Sequence, residues 1–281
     1  MMKGLFGYES AFRAYTSEVI QSFVDDKIQY AELRPNFPAN VLAKDDASGT
    51  ITNADLCQII LDESTKKLAS LKAGEYFRGV KIIYCAPKLL DKDHPAEAMA
   101  ANLDECIKLK QQFPQLICGN VSLEFWQKFR TKMILGFDLV GPEETMAVIN
   151  DYIKELLEFR AKCRVLALDI PFIFHAGETL ENGGRVDGNL FDALMLNSKR
   201  IGHGFALAQH PELMKLFKEK RIALEICPIG NEILHLCPTI GGHAMHILLA
   251  NNVPCTINCD NSVFYRLVSP QLGFSRTGTD S

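Results

Sequence analysis

Ile170-Pro-Phe-Ile-Phe-His-Ala-Gly-Glu178, then Leu190-Phe-Asp-Ala-Leu-Met-Leu196, then Arg200-Ile-Gly-His-Gly204: an apolar run ends in a polar cluster, a helix-spaced segment follows, and a second apolar run ends in a second polar cluster. This is the pattern of a βαβ unit, and it predicts parallel strands. Reading outward, the same alternation continues in both directions. Upstream, helical spacing at Phe12, Tyr15, Val19, Ile20, Phe23 and Val24 precedes a strand over Ile28–Arg34. A helix over Ala54–Leu71 precedes a strand at Gly79–Cys85, and a helix over Ala96–Gln112 precedes Leu116–Cys118. A helix is expected over Glu143–Arg160 before the strand at Ile170. Downstream, helix Pro211–Lys218 leads to strand Ile222–Ile226, and helix His243–Asn251 leads to strand Val253–Cys259.

The fold class is therefore α/β, and the expected architecture is a (β/α)8 TIM-type barrel, which typically takes about 250 residues. Seven strands are counted, opening at Ile28, Gly79, Leu116 or Ile134, Ile170, Arg200, Ile222 and Val253. The barrel is expected to be incomplete, with its first strand and its closing helices missing. Residues 1–281 read as one domain. Residues 120–135 read as an insertion, because deleting them joins Ile-Cys-Gly119 to Gly136-Phe-Asp-Leu-Val-Gly141 as one strand; retained intron sequence is the simplest origin.

Composition narrows the function. The 281 residues carry a net charge of −4 with both signs interspersed, so no electrostatic footprint for nucleic acid or an anionic membrane is visible. No apolar stretch approaches the roughly 18 residues of a membrane span, and the amino terminus lacks the apolar core of a signal peptide. As written the chain is expected to be cytoplasmic. Nine cysteines without paired C-x-x-C spacing, several of them inside apolar runs, fit a reducing compartment.

Three polar clusters at strand ends carry the chemistry: His-Ala-Gly-Glu at 175–178, Arg-Ile-Gly-His-Gly at 200–204 and Cys-Asp-Asn at 259–261. In an α/β barrel the carboxyl ends of consecutive strands converge on one cavity. His175, Glu178, His203 and Asp260, expected on three consecutive strand ends, have the means to hold a metal and move protons, which points to a metal-assisted hydrolase. Each has a plainer alternative. His175 alone reads as a structural histidine, and His203 between two glycines as a buried one. Asp260 or Asn261 alone reads as a helix N-cap. Glu178 follows the Ala176-Gly177 turn, where partial desolvation favours a protonated carboxyl able to act as a general acid. Glu225 reads equally as support for the site or as barrel packing. His243 and His246 read as an exposed helix face.

These stretches resemble the adenosine deaminases, and within them the branch of adenosine-deaminase-related growth factors. The matching segments are Tyr30-Ala-Glu-Leu-Arg34, Gly136-Phe-Asp-Leu-Val-Gly-Pro-Glu143, Phe174-His-Ala-Gly-Glu-Thr179, Asp192-Ala-Leu-Met-Leu-Asn197, Arg200-Ile-Gly-His-Gly-Phe-Ala-Leu207, Glu225-Ile-Cys-Pro-Ile-Gly-Asn231 and Asp260-Asn261. The resemblance implies a zinc-dependent barrel that hydrolyses adenosine or 2'-deoxyadenosine to inosine or deoxyinosine and ammonia. It implies His175 and Asp260 as zinc ligands, Glu178 as the acid that protonates purine N1, and His203 as the group that orients and helps deprotonate the attacking water. It also implies contacts from the Gly141 N–H to purine N3 and from Asn261 to N7.

Two departures stand out. The family's His-x-His pair on the first strand is not in this sequence, which leaves two of the four protein ligands. Asn261 stands where most relatives have a second aspartate, although its NH2 still donates to N7. The family branch is often secreted and dimeric, so a homodimer is implied for the full-length parent. The expected partner is a small purine nucleoside. The rival reading is a non-catalytic nucleoside- or receptor-binding protein, or an inactive fragment.

Overall fold

Helix α1 (Glu9–Asp25) buries Thr16, Ile20 and Val24, whose four-residue spacing places them on one face. The computed structural model describes residues 7–35, 37, 43–72, 76–88, 93–113 and 134–260. Leu116–Cys118, Asn261 and most of the stretch read as an insertion lie outside the described residues; the last two residues of that stretch, 134 and 135, open a strand. The chain forms two compact units, one drawn from residues up to Tyr84 with residues from Lys108 to Leu135, the other from Cys85–Ile107 with residues from Gly136 on.

In the first unit, Thr52 and Asp55 cap helix α2 (Asn53–Ala69) reciprocally: the Asp55 N–H donates to the Thr52 hydroxyl at 3.2 Å and the Thr52 N–H to the Asp55 carboxylate at 2.7 Å. Two end donors are thereby satisfied, an arrangement in which the cap residue alone contributes about 1 kcal/mol. Arg13 reaches from α1 to Glu63 of α2 at 3.1 Å. Strand β1 (Ala31–Leu33) pairs parallel with β2 (Val80–Pro87), Ala31 opposite Val80 and Leu33 opposite Ile82. Every β2 residue before Pro87 is buried, which explains its continuous apolar character: a parallel strand is covered on both faces.

The second unit holds the recurring βα pattern. After α3 (Pro95–Gln112) and β3 (Ile134–Val140), helix α4 (Ile153–Val165) leads to β4 (Ile173–Ala176). The sequence pattern predicts that helix from Glu143. Instead Glu143–Thr145 and Ile149–Tyr152 are 3₁₀ turns separated by an extended Met146, and the α-helix starts at Ile153. Two side chains account for this: Glu143 turns inward, and Asp151 accepts the N–H of Val148 at 3.1 Å, opening a new turn there. Then come α5 (Asn189–Met195), β5 (Arg200–His203), α6 (Pro211–Lys220), β6 (Ala223–Ile226), α7 (Pro228–Ile233), α8 (Met245–Ala250) and β7 (Cys255–Ile257).

Strands β4 to β7 form one parallel sheet in that order. His175 lies opposite Gly202 and Ala176 opposite His203. The three strand ends expected to be consecutive are not all neighbours, since β6 lies between β5 and β7; its Glu225 is buried and paired with Arg200 at 3.2 Å. Strand β3 meets the start of β4 through the Phe137 N–H, which donates to the Pro171 carbonyl at 2.9 Å. Phe159 of α4 packs between Phe137 and Phe172, and Phe172 stacks on Phe174 at 4.7 Å, which fixes α4 on the strands. Parallel strands alternating with helices fit part of a (β/α)8 barrel. Among the described residues no helix is long and apolar enough to cross a membrane.

Candidate active site

Glu178, His203 and Asp260 each offer a ligand atom, and these atoms lie within 4.8 Å of one another. All three follow strands of the β4–β7 sheet: Glu178 in the turn after β4, His203 as the last residue of β5, and Asp260 beyond β7. His203 is buried, with its Nδ1 at 3.2 Å from Glu178 Oε1. Asp260 is exposed, so burial alone does not demand a counter-charge for it. His203 (φ 62°) and Asp260 (φ 52°) both adopt the left-handed backbone region, which costs a residue with a Cβ about 1–3 kcal/mol. Gly204 (φ 67°) continues the turn at His203, and a Cβ there would come within 2.6 Å of Leu224.

His175 sits one strand away, its ring 5.1 Å from that of His203. Its Nδ1 contacts Asp138 Oδ2 at 2.7 Å, and its backbone N–H donates to Asp138 Oδ1 at 2.8 Å. A fully buried carboxylate on Nδ1 keeps the proton there and makes Nε2 the lone-pair nitrogen, the arrangement that orients ligating histidines. Gly202 faces this ring: a Cβ on it would lie 3.1 Å from His175 Cγ and Nδ1.

Burial, more than any other cause, raises the Glu178 carboxyl to about 7. His175 opposes the shift, Asp260 and Glu143 reinforce it, and Lys88 opposes it. A carboxyl at that value holds its proton over part of the neutral range and can release it, as a general acid requires. The turn carrying Glu178 is held from beneath. Glu143 Oε2 accepts the Gly177 N–H at 3.0 Å and Asn189 Nδ2 at 3.2 Å, while Oε1 lies 3.2 Å from Lys88 Nζ. Lys88 and Glu143 are both buried, and their contact is one of charge without the alignment of a hydrogen bond.

Gly141 follows β3 with φ 132°, and a Cβ there would meet Met146 Sδ at 2.5 Å. Asp138, Glu143, Lys88 and Asn231 gained no role from the sequence alone, although an acid inside the apolar run Phe137-Asp-Leu-Val140 was a signal for the first. His243 corrects an expectation. It is buried, and its Nε2 lies 3.0 Å from Asn231 Oδ1, so it does not share an exposed helix face with His246. The group suits a divalent cation, with one imidazole and two carboxylates from Glu178, His203 and Asp260, while His175, oriented by Asp138, lies beside it and is not one of the three.

Comparison with known proteins bears directly on this arrangement. The family model described as adenosine deaminase matches residues 2–268. The chain belongs to the adenosine deaminase family. Within it, adenosine deaminase 2 of Homo sapiens is 33% identical over 264 residues, covering 94% of this chain and 46% of that protein. The adenosine deaminase of Lutzomyia longipalpis is 33% identical over 264 residues, covering 93% and 45%. The chain thus spans about half the length of the curated relatives it matches. Among solved structures, the apo N6-methyl-AMP deaminase of Arabidopsis thaliana aligns with a TM-score of 0.66 at 15% identity, covering 95% of this chain and 66% of that one. A cog1816 amidohydrolase from Burkhoderia ambifaria, with bound Zn, aligns at 0.67 and 17% identity, covering 98% and 65%. At these identities the structural matches establish the fold.

Proposed function

We propose that this chain hydrolyses the 6-amino group of a purine nucleoside, adenosine or 2'-deoxyadenosine, releasing ammonia and the corresponding inosine. The observation that carries the reading is Glu178: a carboxyl raised to about 7, within reach of His203 and Asp260, in a chain of the adenosine deaminase family. A divalent cation, zinc by family expectation, would be held by His175 and Asp260 and would supply a water acidified to a pKa of about 7.

The chain's own groups do the rest. Addition of oxygen at purine C6 pushes negative charge onto N1, and the Glu178 proton delivered to N1 neutralises it. His203, beside Glu178, orients the attacking oxygen. Asp138 holds His175 in one tautomer and one rotamer, and Glu143 and Lys88 hold the Gly177 turn so that Glu178 does not drift. Gly141 and Asn261 take purine N3 and N7 in this reading.

The test is loss of adenosine absorbance on conversion to inosine, with zinc content measured in parallel and AMP and N6-methyl-AMP as competing substrates. Turnover of the nucleoside is expected, with Glu178→Gln lowering it by about 10²–10⁴-fold. A zinc-loaded chain that leaves adenosine unchanged, or a Glu178→Gln variant of full activity, would overturn the reading.

A further inference from the structure

A chain of hydrogen bonds runs from a backbone amide to the Nδ1 of His203, and its direction is set at the amide. The Met245 N–H donates to His243 Nδ1 at 2.8 Å. A peptide N–H cannot accept, so His243 Nδ1 is the lone-pair nitrogen and the ring proton lies on Nε2. That Nε2–H points at Asn231 Oδ1, 3.0 Å away, and donates to it. With its oxygen committed, Asn231 turns its NH2 to His203 Nδ1 at 3.2 Å. An amide flipped the other way would set its NH2 against the His243 Nε2–H, donor against donor.

The three side chains are buried, so that mismatch would leave polar atoms unpaired out of water, which is costly. Phe205 meets the His243 ring edge-on at 5.1 Å and holds its plane. Asn231 lies in α7 and His243 just before α8, both after β6.

We propose that His243 and Asn231 are positioning residues that set the tautomer of His203, placing its proton on Nε2 and leaving its Nδ1 an acceptor. Glu178 Oε1 lies 3.2 Å from the same Nδ1 without a hydrogen bond, that lone pair being taken by the Asn231 NH2, so Nε2–H is left as the position from which His203 can orient the attacking oxygen. This deepens the deaminase reading and rests on it for the effect on rate; the tautomer itself is measured without turnover.

The experiment is nitrogen NMR of the full chain labelled with ¹⁵N-histidine, the His203 signals being assigned among the seven histidines by their loss in His203→Gln. Wild type is expected to show His203 and His243 as Nε2–H tautomers. His243→Gln, whose amide can accept from Met245 and donate to Asn231, should keep the His203 tautomer. His243→Phe frees the Asn231 amide to rotate, so His203 should become a mixture of tautomers and kcat should fall about 10–100-fold with KM little changed. Asn231→Asp accepts from both rings and should draw the proton to His203 Nδ1. His203 carrying its proton on Nδ1 in wild type, or keeping a single Nε2–H form in His243→Phe, would overturn the proposal. If His243→Phe does not fold, wild type, His243→Gln and Asn231→Asp still decide it. The predicted tautomers in a chain that leaves adenosine unchanged would support the relay and sink the deaminase reading; turnover with the opposite tautomer would do the reverse.

Discussion

Asp138 grips His175 at two points, taking the backbone N–H on Oδ1 and the ring Nδ1 on Oδ2. Strand position and ring orientation are therefore set by one buried carboxylate. Asp138→Asn keeps the shape but presents an NH2 to one of two donors. Zinc occupancy and turnover should both fall, by about 10–100-fold, with the far-ultraviolet circular dichroism unchanged. Unaltered zinc content would show that His175 is oriented by something else.

Glu178 links folding to pH in the opposite sense from most carboxylates. Its folded value, about 7, lies above the ordinary 4.5, so between these values the folded chain binds more protons than the unfolded chain. Its stability contribution is full below about pH 4.5 and is lost as pH rises through 7. In chelator-treated protein, Glu178→Gln should match wild type in urea denaturation near pH 4.5. Near pH 8 it should exceed wild type, by up to about 3 kcal/mol. Equal curves at both pH values would argue against a buried, reluctant carboxyl.

His243 acts in the reverse direction. Burial, with a lesser push from His246, lowers it from 6.5 to about 4, and the Met245 N–H on Nδ1 blocks the second proton. The unfolded chain then binds more protons between these values, so stability is full above pH 6.5 and is lost as pH falls towards 4. His243→Gln cannot titrate. Its urea midpoint should lose less than that of wild type between pH 7 and pH 4, a difference of up to about 3 kcal/mol. Comparing each variant with wild type separates this effect from that of Glu178, which overlaps it in pH.

Lys88 and Glu143 form a pair with both side chains out of water. Lys88→Met strands the carboxylate, and a loss of about 3–5 kcal/mol is expected in chemical denaturation. Adding Glu143→Gln removes the stranded charge and keeps a carbonyl oxygen for the Gly177 N–H, so the double variant should recover much of the loss. A double variant no better than Lys88→Met would mean that the lysine matters through packing.

The β4–α5–β5 segment could be read from the sequence because a buried parallel strand is apolar throughout and turns polar only where it leaves the sheet, as at His175 and His203. Asp138, Lys88 and Asn231 were harder to see for one reason: their partners lie far along the chain, and local spacing carries no trace of them. His243 misled because two glycines and a second histidine three residues on look like a solvent-facing start of a helix, whereas Asn231 and Phe205 cover it. The helix expected from Glu143 failed similarly, since that side chain answers to Lys88 and Gly177 and not to its own neighbours.

The register of β4 against β5 sets a limit on how such a chain can drift. His175 has a glycine opposite it, and the histidine comes one step later, opposite Ala176. Because side chains alternate between faces, a single residue lost within β5 would put His203 against the His175 ring, one gained would carry it past Ala176, and either would turn its imidazole to the other side of the sheet. Insertions in this family should therefore accumulate in the helical returns, where length is cheap, while the short strands keep their spacing residue for residue. A library of single-residue deletions across 170–210 should show that contrast as a sharp edge at Arg200.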